Sequence, residues 1–371
     1  MKIGSHRAFP MHMPTPLPAA GAHRMIAGDD GHGMTIDRRT MTLGLLGSLL
    51  GACARAAGGQ PQEAAAPPTW DDWKRRFLTK DGRVVDTGNG GISHSEGQGY
   101  GLILAEAAGD RRAFEQIWRW TETVLARRDA RLFSWRFDAT ATPAVSDVNN
   151  ATDGDLLIAW GLMRAARRWR VAKWEAASRA IRIAIASELV AAIQGRIVLL
   201  PGFQGFVSDK RTQLNPSYYV WPALDAFRAA DPEGPWGDVI ADGEALLAEA
   251  RFGANRLPTD WIDLDPQAGV RPAEGRPARF GYDAVRVPLY LAWSGRQAPL
   301  APFRAWWATP ANRVAWVDVL SGERASEPLS AGGTAVAGLA LGQALAVPAG
   351  PMDYYTMTLA LLAAAARREM R

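Results

Sequence analysis

The sequence contains very little cysteine or histidine, and these shortages exclude several kinds of site. Cys53 is the only cysteine in 371 residues, so the chain cannot form an internal disulfide. Four of the five histidines lie within the first 32 residues, and His94 stands alone further along the chain. Because metal sites need several clustered ligands, this distribution predicts no metal site. No glycine-rich phosphate loop follows a strand-like run, and we predict no cofactor.

The chain also lacks a surplus of one charge sign. The formal net charge is +4 over 42 basic and 38 acidic residues, and arginine supplies nearly all of the positive charge. The basic residues form no stripe, which argues against a nucleic-acid partner. A hydrophobic content of 48% with 22% charged residues is typical of a soluble globular protein.

The N-terminal region has no hydrophobic run long enough to cross a bilayer. Its apolar stretch at residues 41–52 has twelve residues, whereas a transmembrane helix needs about 20. Arg38 and Arg39 precede this stretch, so the segment from Met34 is typical of an export signal, and the arginine pair resembles a twin-arginine signal. Residues 1–33 lack apolar periodicity. We predict that they are disordered, or that Met34 is the true initiator.

Cys53 directly follows this apolar stretch. Residues 50–53 resemble a lipobox, which would make Cys53 the lipidated N-terminus of an exported protein. The alternative is ordinary cleavage after an Ala-x-Ala site, with Cys53 removed or left as a free thiol. Residues 54–68 are rich in Ala, Gln, Gly and Pro and are interpreted as a linker. We therefore predict an extension with an export signal at 1–53, the linker, and one domain at 69–371.

One acid in the domain is surrounded by glycine. Residues 94–101 place Glu96 at the start of an apolar helix, with Ser95 as the N-cap candidate. The three glycines of this run each cost about 1 kcal/mol relative to alanine inside a helix. Glycine lets another surface approach the backbone closely, and a flat polymer such as a glycan is one such surface. The alternative is that Glu96 only complements the positive end of the helix.

A second acidic run also precedes a helical pattern. Asp153 and Asp155 stand before apolar residues that recur at steps of three and four through Trp169. Taken alone, Asp153 is interpreted as a plain N-cap. Asp155 is expected to cap the helix or bind backbone rather than bind a sugar.

Together the two runs resemble glycoside hydrolase family 8, and the second matches that family's signature closely. The resemblance continues in family order over about residues 68–368. The further matching segments are Trp70, Trp73 and Phe77 with residues 82–86, then residues 215–218, 257–261, 282–288 and 353–355. Within the family, the sequence is most similar to endoglucanases encoded beside bacterial cellulose synthases.

The resemblance implies an all-α fold, an (α/α)6 barrel of helical hairpins that forms a single catalytic domain at 69–371. No internal repeat is detectable, so this architecture follows from the resemblance alone. Periodicity predicts a strand at 197–200 and twelve helices, at about 70–78, 96–108, 111–127, 154–170, 173–192, 217–230, 238–250, 283–293, 300–306, 312–319, 331–344 and 352–369.

The resemblance also assigns the chemistry of the site. It implies that Glu96 is the general acid, that Asp283 is the general base, and that Asp153 holds the distorted central sugar and helps to orient water. The family inverts configuration, so about 6.5–9.5 Å should separate the acid from the base. Glu96 should be protonated near neutral pH because of burial and the nearby negative charge of Asp153. Arg286 lies one helical step from Asp283 and could hold it ionised.

Fifteen tryptophans are available for packing or for sugar binding. The common role of tryptophan is core packing, but Trp135 and Trp261 are flanked by turn residues and are our candidates for stacking on sugar rings. Tyr218 belongs to an Asn-Pro-Ser-Tyr turn and is either core or a lining residue of the cleft. Arg286 is included as a substrate-binding candidate.

These expectations describe an exported enzyme, periplasmic or secreted, that reaches a membrane only through a lipid on Cys53. It would be a monomeric, inverting endo-β-1,4-glucanase that acts on β-1,4-glucan chains such as cellulose and is linked to the cellulose synthase machinery. The alternatives are a related chitosanase, xylanase or mixed-linkage glucanase, or a non-catalytic glycan-binding accessory protein. Three acids in the family's order argue against a pure binder, because binding alone does not require them.

Overall fold

A computed structural model describes residues 67–345 and 352–370. Within these ranges the helices are α1 (Trp70–Phe77), α2 (Ser95–Ala108), α3 (Arg111–Trp120), α4 (Thr152–Trp169), α5 (Ala172–Glu188), α6 (Trp221–Ala230), α7 (Trp236–Glu249), α8 (Arg286–Trp293), α9 (Gln297–Ala308), α10 (Ala331–Ala340) and α11 (Tyr354–Glu369). The strands are β1 (Ser93–His94), β2 (Arg136–Phe137), β3 (Val190–Ile193), β4 (Arg196–Leu199), β5 (Thr212–Leu214), β6 (Ile262–Asp265), β7 (Gly269–Pro272), β8 (Arg279–Phe280) and β9 (Val317–Asp318).

The predicted export signal, the lipobox at Cys53 and the linker through residue 66 lie outside the described residues. Among the helices of the described part, none combines the length and the apolar character that a membrane span requires.

The helices form a closed ring of hairpins. Helices α2, α4, α6, α8 and α11 contact one another in that order, and α11 returns to α2. Each of α3, α5, α7 and α9 packs against the helix before it, while α10 packs against α8, α9 and α11. Every residue of α8 is buried, whereas α5 buries only one face, as expected for an inner and an outer helix. The barrel of helical hairpins predicted for this chain is therefore confirmed.

Glycines allow α2 and α4 to pack very closely. A Cβ atom added to Gly99 would lie 2.5 Å from the Leu157 Cβ, and one added to Gly161 would lie 3.0 Å from the Leu102 Cβ. A Cβ at Gly154 would collide with the Ser95 hydroxyl. We expected the glycines of α2 to admit a glycan, and that interpretation is wrong at Gly99, because the surface that approaches it is the neighbouring helix.

In the described part of the chain, four short antiparallel sheets lie between the helices. The pairings are β1 with β2, β3 with β4, β5 with β6 and β7, and β8 with β9. The predicted strand at 197–200 is confirmed as β4. The predicted helix at 312–319 is wrong, because the backbone there pairs with other segments: Phe280 pairs with Val317, and the Ala325 amide donates to the Trp316 carbonyl. Helix α5 likewise ends at Glu188, earlier than predicted, and the chain turns into β3.

Candidate active site

Six of the seven predicted catalytic and sugar-binding residues line one cavity, at the N-terminal ends of α2, α4 and α8. The exception is Trp261. The lining residues are Asp86, Asn89, His94, Ser95, Glu96, Trp135, Ala151, Asp153, Tyr218, Tyr282, Asp283, Arg286 and Tyr355.

Glu96 is the second residue of α2. The N-cap is His94 and not Ser95 as predicted, because the His94 imidazole Nδ1 accepts the Gly97 amide at 2.9 Å. The backbone amide of Ser95 instead donates to the Trp135 carbonyl at 3.0 Å, which ties the start of α2 to the loop of Trp135. The Tyr100 hydroxyl donates to Glu96 Oε1 at 3.0 Å. One carboxylate oxygen of Glu96 is therefore held from within its own helix.

Asp153 lies at the start of α4 but does not cap it. The N-cap is Ala151, which makes no side-chain hydrogen bond, so the interpretation of Asp153 as a plain N-cap is wrong. Asp153 Oδ1 accepts the Gly154 amide at 2.8 Å, and Oδ2 accepts from Arg286 Nη1 at 3.1 Å. Burial raises the pKa of Asp153 to about 7, although the Gly154 amide and the nearby His94 oppose that rise.

Asp155 points away from the cavity, into the protein. It accepts the Phe133 backbone amide at 2.9 Å and the Asn150 side-chain amide at 2.7 Å. Its expected role of binding backbone is confirmed. Burial raises the pKa of Asp155 to about 8, and the two donors only partly offset that rise.

Asp283 precedes α8 and has donors on both carboxylate oxygens. Arg286 Nη2 donates to Oδ1 at 2.8 Å, while Asn215 Nδ2 and Trp261 Nε1 each donate to Oδ2 at 3.1 Å. Burial, followed by the negative charges of Asp260 and Asp153, raises the pKa of Asp283 well above its usual value. A raised pKa makes this carboxylate a stronger base, while its three donors fix its orientation.

Arg286 connects the three acids. Its side chain is buried, with 2% of the residue exposed. Nη1 contacts both Glu96 and Asp153, and Nη2 donates to Asp283 and to the Ser217 hydroxyl, each at 2.8 Å. The sequence predicted only the contact with Asp283. One guanidinium thus offsets repulsion among three carboxylates at the centre of the cavity.

The two candidate tryptophans occupy different environments. Trp135 is half-buried, lines the cavity and donates its indole N–H to Asp147 at 2.7 Å. Trp261 is 6% exposed; its ring stacks with Phe206 at 5.8 Å, and the Arg276 guanidinium lies 4.0 Å from the ring centroid. The expectation that Trp261 offers an open face in the cleft is therefore wrong. Its indole N–H reaches the site by donating to Asp283.

Sequence reasoning missed several polar groups that line the cavity beside the acids. His94 was considered only as an isolated histidine, yet its Nε2 lies 3.3 Å from Asp86 Oδ2. The Tyr355 hydroxyl donates to the Tyr282 carbonyl at 2.6 Å at another edge of the cavity. Asp86, Tyr282 and Tyr355 all stand in segments that matched the family, so that match was the signal that could have identified them.

Comparisons with known proteins identify the family. A family model described as glycosyl hydrolases family 8 matches residues 51–369. A probable endoglucanase of Novacetimonas hansenii is 42% identical over 323 residues, 84% of this chain and 94% of that protein. An endoglucanase of Cellulomonas uda is 40% identical over 285 residues, 76% of this chain and 79% of that protein.

A solved structure has the same overall fold. Endoglucanase Cel10 of Klebsiella pneumoniae, described as a family 8 glycosyl hydrolase, superposes with a TM-score of 0.79 at 39% identity. The match covers 81% of this chain and 99% of that one. Sequence and fold thus agree over the whole ring of hairpins, which is the (α/α)6 barrel, and the chain belongs to glycosyl hydrolase family 8.

Proposed function

We propose that this protein is an endo-β-1,4-glucanase that cleaves internal bonds of cellulose chains by an inverting single displacement. The observation that carries the proposal is the arrangement of Glu96, Asp153 and Asp283 around Arg286 in one cavity. Glycoside hydrolysis requires such carboxylates on either side of the scissile bond. The relatives named above are described as endoglucanases, the one from Novacetimonas hansenii as a probable endoglucanase.

In this mechanism, Glu96 protonates the leaving glycosidic oxygen. Asp283 removes a proton from a water molecule that attacks the anomeric carbon from the opposite face. Asp153 holds the central sugar and helps to orient that water. Arg286 donates to Asp283 Oδ1 and so favours its charged form against the burial that raises its pKa. The predicted spacing of about 6.5–9.5 Å between acid and base leaves room for the water.

The aromatic residues divide into two roles. Trp135 and Tyr218 both line the cavity: the half-buried Trp135 ring stacks on a sugar, while the more buried Tyr218 contacts the sugar from the cavity wall. Trp261 contributes to substrate binding indirectly, since its indole N–H orients the carboxylate of Asp283.

The test compares hydrolysis of four polymers by the wild-type protein. We expect reducing-sugar release from carboxymethylcellulose, with a rapid fall in viscosity that indicates internal cleavage. Release from chitosan, xylan or mixed-linkage glucan alone would instead favour one of those specificities. Binding of a glucan without any hydrolysis would favour a non-catalytic accessory protein.

The variant Glu96→Gln is the direct test of the acid. Loss of proton donation should lower kcat by about 10²–10⁴-fold, while binding and thermal unfolding stay close to those of the wild type. Near-wild-type turnover of an unactivated cellulose oligomer by Glu96→Gln would show that another group supplies the proton.

We also propose that the protein is exported as a monomer, to the periplasm or beyond, with Cys53 as a lipidated N-terminus, and that it acts beside the cellulose synthase machinery. The proposal rests on the lipobox-like residues 50–53 and on the resemblance to endoglucanases encoded beside cellulose synthases. Mass spectrometry of the N-terminal peptide from native membranes tests the lipid. A soluble product that starts after Cys53 would reject the anchor, and unchanged cellulose output after gene deletion would reject the link to synthesis.

A further inference from the structure

Asp260 is a carboxylate beside the active site to which the mechanism above gives no role. Its Oδ1 accepts three backbone amides, from Gly281 at 3.1 Å, Asp283 at 3.1 Å and Ala284 at 2.7 Å. These amides belong to the turn that carries the base. Asp260 itself is anchored, because its backbone amide donates to the Arg279 carbonyl at 2.8 Å.

The turn needs this carboxylate because it stands at the start of α8. Backbone amides of a turn that precedes a helix need acceptors outside the helix, and a negative charge is favourable near the N-terminal end of a helix. The N-cap residue of α8 is Val285, which makes no side-chain hydrogen bond. Asp260, from a distant part of the chain, therefore holds the turn that leads into α8, while the Arg286 and Val287 amides of the helix itself pair with the Asp283 and Ala284 carbonyls.

Two further contacts show that the fit is close. A Cβ atom added to Gly281 would lie 2.8 Å from Asp260 Oδ2, so glycine leaves room for the carboxylate. The next residue, Trp261, donates its indole N–H to the Asp283 side chain at 3.1 Å. Asp260 thus holds the backbone of Asp283, and its neighbour Trp261 holds the carboxylate of Asp283.

We infer that Asp260 is a positioning residue that holds the turn of Asp283, a role that rests on the proposed function of Asp283 as the general base. Asp260 does not touch the substrate in this role. It fixes where the base lies relative to the bond that breaks, and a displacement of about 1 Å in such a group can cost about 10²-fold in rate.

Asp260 also affects the basicity of Asp283. After burial, the negative charge of Asp260 is the largest cause that raises the pKa of Asp283. The other titratable groups that face Asp283 are Arg286 of α8, Asp153 of α4, Arg276 between β7 and β8, and the buried hydroxyls of Tyr218 and Tyr355. Because Asp260→Asn removes one negative charge and leaves these groups in place, it should lower the pKa of Asp283 and move the acid limb of the kcat–pH profile to lower pH.

The experiment compares Asp260→Asn, Asp260→Ala and the control Asp265→Ala in the full chain. Asp265 is the control because one of its carboxylate oxygens likewise accepts backbone amides, two of them from Gln267 and Ala268, but in an exposed turn. Hydrogen exchange of the peptide at residues 281–284 reports the hold on the turn independently of activity. The kcat–pH profile on cellohexaose reports the base.

We expect Asp260→Ala to lose exchange protection at residues 281–284 and about 10²-fold in kcat, with a smaller change in KM. Asp260→Asn keeps an oxygen acceptor, so it should retain the protection and most of kcat while its acid limb moves to lower pH. Asp265→Ala should change neither readout. Wild-type protection and kcat in Asp260→Ala would overturn the inference, and an unmoved acid limb in Asp260→Asn would reject the separate effect of Asp260 on the basicity of Asp283. If the wild-type protein hydrolyses no glucan, the proposed function fails, while the exchange measurement still decides whether Asp260 holds the turn.

Discussion

At the scale of single residues, the central feature is one buried arginine shared by three acids. Arg286 reaches Glu96, Asp153 and Asp283 because its planar guanidinium presents donors in two directions. A lysine ammonium is a compact point charge and cannot reproduce this fork. The same cation thus supports the separate roles proposed for the acid, the base and the sugar-binding carboxylate.

The base assignment has a stereochemical test. Asp283→Asn should lower kcat by about 10²–10⁴-fold, because an amide cannot accept the proton from water. In the wild-type reaction, proton NMR of the first-formed product from a β-linked oligomer should show the α anomer. Initial β product would mean a retaining mechanism and would exclude the proposed role of Asp283.

The two tryptophans should respond differently to truncation. Trp135→Ala should weaken cellohexaose binding by about 1–3 kcal/mol with little effect on unfolding, since this half-buried ring lines the cavity. Trp261→Ala should cost about 3–5 kcal/mol of stability, because its ring is buried. Calorimetric binding on a Glu96→Gln background and thermal unfolding measure the two effects. Equal losses in both variants would contradict the assignment.

At the scale of elements, the contact of α2 with α4 depends on glycine. Gly99→Ala should destabilise the protein by about 1–3 kcal/mol, because the added methyl would lie 2.5 Å from the Leu157 Cβ and the helices would have to move apart. The matched control is Gly237→Ala in α7, where nothing lies within 4 Å of the added methyl. This control should gain up to about 1 kcal/mol through helix propensity. Urea unfolding of both variants measures the difference, and a stabilised Gly99→Ala would show that the contact is loose.

At the scale of the whole molecule, buried carboxyl groups link stability to pH. Burial raises the pKa of Asp155 to about 8, whereas an aspartate in an unfolded chain titrates near about 4. Between these values the folded state holds a proton that the unfolded state has released. The contribution of Asp155 to the free energy of unfolding should therefore be fully present below about pH 4. It should be lost as pH rises towards 8, by at most about 1.4 kcal/mol per pH unit.

The variant Asp155→Asn isolates that effect. It keeps an oxygen for the Phe133 amide but cannot titrate, so its stability should change less between pH 5 and pH 8 than that of the wild type. Urea midpoints at the two pH values provide the measurement. If the urea midpoints of the two proteins change equally between pH 5 and pH 8, Asp155 is ionised in the folded state.

Local sequence patterns predicted where the acids of the site lie and which family the chain resembles. Glu96 and Asp153 could be placed at helix starts because an acid before a periodic apolar run is a pattern of a few residues. The order of matching segments then identified the family and, through it, the barrel and the residues of the cavity. The prediction of a helix at 312–319 was wrong because the backbone there pairs with β8 and with residues 323–325. Local periodicity cannot reveal such pairing, because the partners are distant in the sequence or lie beyond the periodic segment.

Only the tertiary structure decided how the site is held. Arg286 and Asp153 are 133 residues apart, and Asp260 lies 23 residues before the base whose turn it holds. Spacing along the chain cannot reveal such contacts, because they depend on which helix ends meet at one end of the barrel. The same reason explains why Gly99 serves helix packing and why Trp261 is covered. The sequence by itself determined which groups could do the chemistry, whereas the packing of distant segments decided which of them meet and which face the cavity.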